Sequence, residues 1–381
     1  MTRTTGTYIS APAGGEQVNA FVPAPLPVSN PPLAIEGALT KRLDAAERAL
    51  RHLELAAQMV PSPDWFLYAF VRKEAVLSSQ IEGTQATLID LLESEANNST
   101  TPDVEEVSNY IEALKFARAQ LASTKGLPLS MRLLNETHKR LMHGVRGASK
   151  APGQVRKTQN WIGGSRPGNA AFVPPPPDQL AALLANLEKY WHDDDSSPAL
   201  VRAGVAHVQF ETIHPYLDGN GRIGRLLIAL LLEHWKLLPQ PLLYLSLFFR
   251  RHQAEYYRRL SRVRSDGDWE GWLDFFLDGV ATIGEQAVAL ARELFGIVSA
   301  DRGKVLAQSA TSVAAVRLFE QLPASPIVTV ASAIEMLDTT KPTAAKAVDT
   351  LVAAGVLVET SGKQRGRTFA YQRYLAALGR E

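Results

Sequence analysis

Residues 210–225 read FETIHPYLDGNGRIGR and lie between two apolar helical runs. The first run ends near Ile213 and the second starts near Gly221, so the stretch reads as a helix, a tight loop and the N-terminus of another helix. Gly219, Asn220 and Gly221 at a helix start make a natural anion site: glycine lets the backbone approach, amide N–H groups point outward, and the helix dipole favours negative charge. Arg222 and Arg225 stand three apart, on one helical face, and add two guanidinium forks suited to phosphate oxygens. This pattern points to a polyphosphate. Asp218 enters the same loop, and one carboxylate with phosphate oxygens and water is a common way to hold Mg²⁺. His214 stands just before it, where a neutral imidazole can take a proton from an incoming hydroxyl. A Gly-Asn-Gly turn alone, or a histidine alone at a helix end, is more often structural; all seven groups within twelve residues are hard to explain as packing. His207, Glu211 and His214 also share a helical face as zinc ligands would. No HExxH is present and Pro215 ends the helix at once, so the phosphate reading is preferred.

Outward from this stretch the spacing stays helical. Leu43, Ala46, Leu50 and Leu53 recur three or four apart, and a second run goes from Trp65 and Phe66 through Ala69, Phe70 and Ala75 to Ile81. Further helices are expected over 103–121, 127–143, 178–192, 199–213, 222–235, 253–264 and 269–298. One long irregular stretch, Lys150 to Pro177, interrupts them, and loops beyond about 12 to 15 residues in a compact domain are usually functional or disordered. Its apolar pieces Asn160 to Ile162 and Ala171 to Val173 flank glycine-rich turn residues, which predicts a short hairpin and an ordered flap. The first 33 residues, with Pro23, Pro25, Pro27, Pro31 and Pro32, read as an extended arm. The last segment reads as three helices, 312–322, 328–337 and 342–354, then two short strands around a basic tip: a winged helix. Its third helix offers Thr343, Lys346 and Thr350 and its wing Lys363, Arg365 and Arg367, a modest set for DNA because affinity scales with phosphates neutralised. DNA contact and protein docking stay equally open. The expected domains are therefore 1–33, an arm; 34–100, an N-terminal helical region; 101–298, a catalytic core with its flap near 160–174; and 305–381, the winged helix.

Composition narrows the function classes. Forty Lys plus Arg against thirty-nine Asp plus Glu leave +1, so the 381-residue chain as a whole has no electrostatic footprint for nucleic acid or anionic membrane. Hydrophobic residues at 46% and charged residues at 21% are those of a globular protein. With no cysteine, disulfides, thiolate catalysis and cysteine-ligated metals are excluded. The first residues have no signal-peptide apolar stretch, and no window reaches the roughly 18 apolar residues of a membrane span, so a cytoplasmic protein without membrane partners is expected.

Residues 214–225 resemble the signature of Fic-domain proteins, His-Pro-Phe-x-Asp/Glu-Gly-Asn-Gly/Lys-Arg-x-x-Arg, with Tyr216 in place of Phe as the one departure. The likeness extends to RKEAVLSSQIEGTQATLIDLL at 72–92, PGQVRKTQNWIGG at 152–164, AAFVPPPP at 170–177 and PLLYLSLFF at 241–249, and so covers about Leu33 to Val298. It implies a mainly α fold: a Fic-type helical core with a short β-hairpin flap, often followed by a winged helix. It also implies transfer of AMP from ATP, with Mg²⁺, to a Ser, Thr or Tyr hydroxyl of a protein, self-modification included. By the same likeness His214 is the general base and Asp218 the Mg²⁺ ligand. Gly219, Asn220, Gly221 and Arg222 hold the α- and β-phosphates, Arg225 holds the γ-phosphate, and Tyr256 and Tyr257 lie near the adenine or ribose. The flap, with Ile162, Gly163, Gly164, Phe172 and Val173, would hold the target as an added strand. Ser78, Glu82 and Gly83 fit the family's inhibitory pattern Ser/Thr-x-x-x-Glu-Gly/Asn, which implies that Glu82 pairs with Arg225 within the chain and blocks the γ-phosphate. Other readings left open are another nucleotidyl or phosphoryl transfer, removal of AMP, and a DNA-binding regulator that senses nucleotide. A homodimer is left open too.

Overall fold

The longest apolar run becomes the central helix of a computed structural model that describes residues 3–58, 63–97, 99–193, 197–309, 311–362 and 366–380. The chain opens with strands β1 (Gly6–Ala13) and β2 (Glu16–Pro23), and then helices α1 (Ala38–Gln58), α2 (Pro63–Ile81), α3 (Leu88–Asn97), α4 (Pro102–Ala122) and α5 (Met131–Leu141) follow. After the flap come α6 (Leu180–His192), α7 (Ala199–Ile213), α8 (Asn220–His234), α9 (Ser246–Arg251), α10 (Gln253–Asp266) and α11 (Trp269–Leu306). The fold is mainly helical, as the spacing predicts. Helix α11 carries the core, with α1 laid along it; at Gly284 an added Cβ would come within 2.8 Å of the Ala49 Cβ, so only glycine allows that approach.

Helix α2 joins distant parts through three consecutive buried charges, each matched because an unpaired buried charge is costly. Arg72 pairs with Glu95 on α3 at 2.8 Å, and the Glu74 carboxylate accepts the Ser246 N–H and hydroxyl on α9. Lys73 donates to the Leu378 and Arg380 carbonyls at 3.0 and 2.7 Å, at the C-terminal end of the chain's last helix, α15 (Gln372–Leu378).

The segment expected as an extended arm is instead a β-hairpin. Strands β1 and β2 pair antiparallel around Gly14-Gly15, both with positive φ, which is the two-residue turn that right-twisted strands favour. The flap departs in the opposite sense: the expected hairpin is a single bridge, Ile162 to Phe172, with backbone hydrogen bonds of 2.8 and 3.1 Å. Four prolines follow Val173 and have no N–H to continue a ladder.

The C-terminal unit runs α12 (Val313–Gln321), β3 (Ile327–Thr329), α13 (Val330–Leu337), α14 (Lys341–Ala353), β4 (Val358–Glu359), β5 (Thr368–Ala370) and α15, with sheet order β3-β5-β4. Its second helix starts two residues later than expected because Val328 and Thr329 pair with Phe369 and Thr368, and Thr329 caps α13 through the Ser332 N–H at 3.0 Å. Thr350, expected among the DNA-facing residues, is buried and donates to the Lys346 carbonyl, while Arg367 lies over the Phe369 ring at 5.2 Å. Lys363 and Arg365 fall outside the described residues. The unit is fastened to α11 by Asp301, which is fully buried and accepts from the Tyr371 hydroxyl and Arg373, both at 2.9 Å, and from Lys304 at 2.6 Å. Asp301→Ala strands the Tyr371 hydroxyl and should cost about 3 kcal/mol in urea unfolding; Tyr371→Phe, which leaves no such orphan, should cost clearly less.

Candidate active site

Helix α7 is buried from Leu200 to Ile213 and stops at His214, whose backbone is left-handed (φ 51°, ψ 62°). Pro215 disfavours a helical residue before it, and the strained conformation persists because its surroundings impose it. Arg156 does most of this: its side chain donates to the carbonyls of His214 at 3.0 Å and Pro175 at 2.5 Å, and its N–H donates to that of Pro215. The half-buried imbedding of the imidazole, with the Arg156 charge beside it, pushes the His214 pKa down to about 4, so the ring is neutral near pH 7. Its Nδ1 makes no hydrogen bond among the described residues.

The loop after His214 is built by side chains. Asn220 donates to the Tyr216 carbonyl and accepts its N–H, both at 2.8 Å. Both ends of the Asn220 side chain thus brace the loop. Tyr216 is fully buried, stacks on His138 at 3.9 Å and finds the partner its hydroxyl needs in Asn135 at 2.8 Å. The Gly153 N–H donates to His138 Nδ1 at 2.8 Å, which leaves the proton on Nε2 to donate to the Asp218 carbonyl at 2.9 Å. One oxygen of the Asp218 carboxylate accepts the Gly219 N–H at 2.6 Å. Gly219, with φ 76°, then caps α8.

The backbone N–H groups of Asn220, Gly221 and Arg222 make no hydrogen bond among the described residues, as is usual for the first N–H groups of a helix unless a cap or ligand meets them. Over them sits Glu82: an added Cβ at Gly221 would lie 2.3 Å from its Oε1. The same oxygen accepts from Arg225 at 2.7 Å, and Arg225 also donates to the hydroxyl and carbonyl of Ser78 at 2.9 and 2.8 Å. Burial alone would raise the Glu82 pKa, but the charge and hydrogen bond of Arg225, with the charge of Arg222, hold it below the usual range. Gly83, at φ 96°, turns the chain away just beyond. Arg222 is buried between Glu106 at 3.5 Å and Asp218 at 3.7 Å, and its Nε has no partner among the described residues. Glu106 in turn holds Thr84 at 2.9 Å and Arg146 at 3.4 Å.

Tyr256 does not sit where the resemblance implies. Its ring is buried against Phe249, and its hydroxyl is 2.8 Å from His207 Nε2, while His207 Nδ1 meets the Gly224 carbonyl at 3.0 Å. His207, its pKa pushed down to about 3 by burial, is therefore a satisfied core group, and no three metal-binding side chains cluster among the described residues. Tyr257 is the exposed member of the pair. Glu106, Asn135, His138, Arg156 and Asn160, which donates to the Tyr216 carbonyl at 3.0 Å, are site residues that sequence reasoning did not assign. Arg156 and Asn160 do fall inside a stretch that carries the family likeness.

Residues 128–232 match the Fic/DOC family, and residues 40–119 match the Fic/DOC family N-terminal region. Protein adenylyltransferase Fic of Drosophila grimshawi is 28% identical over 206 residues, which are 52% of this chain and 39% of the fly protein. The chain thus spans about two fifths of the length of that curated relative. A Fic family protein from Desulfovibrio desulfuricans G20 shares the fold with a TM-score of 0.59 at 20% identity, over 90% of this chain and 98% of its own. A Fic domain containing signaling protein from Bacteroides thetaiotaomicron gives 0.51 at 16% identity, over 67% and 97%. Fold and loop thus define a helical protein of a class whose members are generally nucleotidyltransferases. Residues 128–232 thus match the Fic/DOC family and residues 40–119 its N-terminal region, and the chain is distantly related to Fic protein adenylyltransferases.

Two measurements check this geometry. Tyr256→Phe removes the donor to His207 and should lower stability by about 1 kcal/mol while nucleotide affinity is retained; lost affinity with unchanged melting would return the ring to the nucleotide. Burial raises the Glu74 carboxyl to about 7. A raised folded-state pKa means that its contribution to stability is full below the unfolded value near 4.5 and is lost as pH rises to about 7. Glu74→Gln should gain on wild type across that window, and a constant difference in melting temperature from pH 4.5 to 7 would contradict the burial.

Proposed function

We propose that this protein transfers AMP from ATP to a hydroxyl side chain of a protein and rests in a state inhibited by Glu82. The observation that carries the reading is a neutral histidine beside a helix N-terminus whose three unpaired amides and arginine are faced by one carboxylate. A polyphosphate fits the same donors. The target oxygen attacks the α-phosphorus, its proton passes to the His214 imidazole, and the bond to the β-phosphate oxygen breaks so that pyrophosphate leaves. The amides of residues 220–222 and the buried Arg222 face the charge that spreads over the phosphoryl oxygens. Asp218 is the carboxylate that would hold Mg²⁺, with phosphate oxygens and water completing the shell, and the ion would neutralise the leaving pyrophosphate.

Arg225 cannot receive a γ-phosphate while it holds Glu82. A charge-assisted contact is worth roughly 1.5 to 3 kcal/mol when sheltered, and the partly exposed Glu82 side chain brings this toward the lower value, still about tenfold in population. The C-terminal unit is read as a winged helix that selects the target. With Thr350 buried and Arg367 resting on Phe369, protein docking is favoured over DNA.

Incubation with α- and γ-labelled ATP tests the reaction: label should be kept from α and not from γ, and the reverse would overturn it. His214→Ala should abolish transfer with ATP affinity nearly unchanged, since the base acts in the transition state. Glu82→Gly should raise transfer about tenfold or more, whereas Arg225→Ala should not, although both break the pair. Equal or lower activity in Glu82→Gly would defeat the inhibitory reading.

A further inference from the structure

One face of the flap carries a single charge. Asn160 and Ile162 are two apart in the outer flap segment and so share a face, and Asn160 donates from it to the Tyr216 carbonyl at 3.0 Å. That face is therefore the one turned toward the loop of His214. Phe172 lies opposite Ile162, and Phe21 of β2 continues the row at 6.3 Å between ring centroids. Arg264, in the last turn of α10, rests on this row with its guanidinium 4.0 Å from the Phe172 ring centre.

The edge of the flap beyond Phe172 is closed, and the edge beyond Ile162 is open. The Phe21 N–H donates to the Val173 carbonyl at 2.9 Å, so β2 covers the segment that holds Phe172. Both backbone groups of Ile162 are turned inward to Phe172, and the Trp161 N–H, turned outward, makes no hydrogen bond among the described residues. An extended segment can add at that edge. Its residue opposite Ile162 then lies on the Arg264 face, two strand spacings or about 10 Å from Phe172, a span that a Glu and an Arg side chain close between them.

Arg264 lacks the partner that a sheltered cation needs. It is half-buried, makes no hydrogen bond or ion pair among the described residues, and stays charged at neutral pH although burial lowers its pKa to about 10. Arg259 and Arg262 on the same helix are by contrast both paired with Asp268. Glu211 on α7 lies within the electrostatic reach of Arg264 but closes no ion pair with it, and burial pushes that carboxyl up to about 7, so it is only partly charged at neutral pH.

We propose that Arg264 selects targets by an acidic side chain two residues from the modified hydroxyl. This rests on the AMP-transfer reading and adds a specificity to it. In an extended segment residues two apart share a face, so when one side chain stands opposite Asn160, over the loop of His214, the next on that face stands opposite Ile162, toward Arg264. A carboxylate there gives the half-buried guanidinium its counter-charge.

The test is a library of short peptides, each with one Tyr, Thr or Ser and with every residue type in turn at the two positions two residues away, incubated with the Glu82→Gly protein and α-labelled ATP. Peptides with Asp or Glu at one of those positions should be labelled about tenfold faster than those with Asn or Gln, and the difference should lie in KM. Added to Glu82→Gly, Arg264→Gln should remove the preference and Arg264→Glu should turn it toward Lys and Arg, with ATP affinity unchanged and the melting temperature reporting the fold. No acidic preference, a preference that survives Arg264→Gln, or a loss of ATP affinity in that variant would overturn the proposal while AMP transfer stands; so would label on the protein itself with none on any peptide. No label from α-labelled ATP on peptide or protein would take down both readings.

Discussion

A guanidinium buried to the extent of Arg225 must have a counter-charge, and the chain meets that requirement by bringing the end of α2 onto the start of α8. Ser78 and Glu82 are 147 and 143 residues away from Arg225 in sequence, so the contact must be held by the placement of the whole of α2. That placement is secured by charges earlier on the same helix. Arg72 is tied to α3, Lys73 to the end of α15 and Glu74 to α9, so the helix that presents Glu82 is held by three others. Anything that removes Glu82 has to supply another anion at Arg225, because the alternative is an uncompensated buried cation. A polyphosphate does this and an uncharged ligand does not.

The loop at His214 shows how a strained backbone is kept. Three separate supports converge on it: Arg156 from the base of the flap, Asn220 from the helix that follows, and His138 under Tyr216 and Asp218. Each meets backbone atoms, so the loop's shape does not depend on the exposed side chains that would meet a ligand. Burial does the complementary chemical task by keeping both His214 and His138 neutral; a charged His138 would need a proton on Nδ1, where it accepts the Gly153 N–H.

What could be read from the sequence was what is contiguous. His214 to Arg225 is one helix end, one loop and one helix start, so spacing alone places its groups together, and Ser78 with Glu82 is a one-turn pattern. The helical body was legible from apolar periodicity for the same reason. The N-terminal hairpin was legible too, through Gly14-Gly15 between alternating apolar residues, but the prolines beyond it drew the reading toward an arm. Glu106, His138, Arg156 and Arg264 carried no such signal: their partners lie far along the chain, and a lone polar residue in a helix or loop says nothing of what it will meet. Tyr256 shows the converse, since a likeness states that a residue matters and not whether its ring lies on the surface or in the core.

The two arginines of the motif end up in different states, and the difference lies in their carboxylates. Glu106, facing Arg222, retains only 5% of its side-chain exposure and is also held by Thr84 and Arg146. Moving it would strand the buried Arg222 guanidinium. Glu82, facing Arg225, retains 33% and stands just beyond the last turn of α2, next to a glycine with positive φ. Its carboxylate can swing to water with little loss of solvation and little resistance from the backbone. Arg222 is thus paired with an acid that stays, and Arg225 with an acid that can move away. The carboxylate facing the arginine nearer His214 is fixed, and the one facing the arginine farther along α8 is free to move.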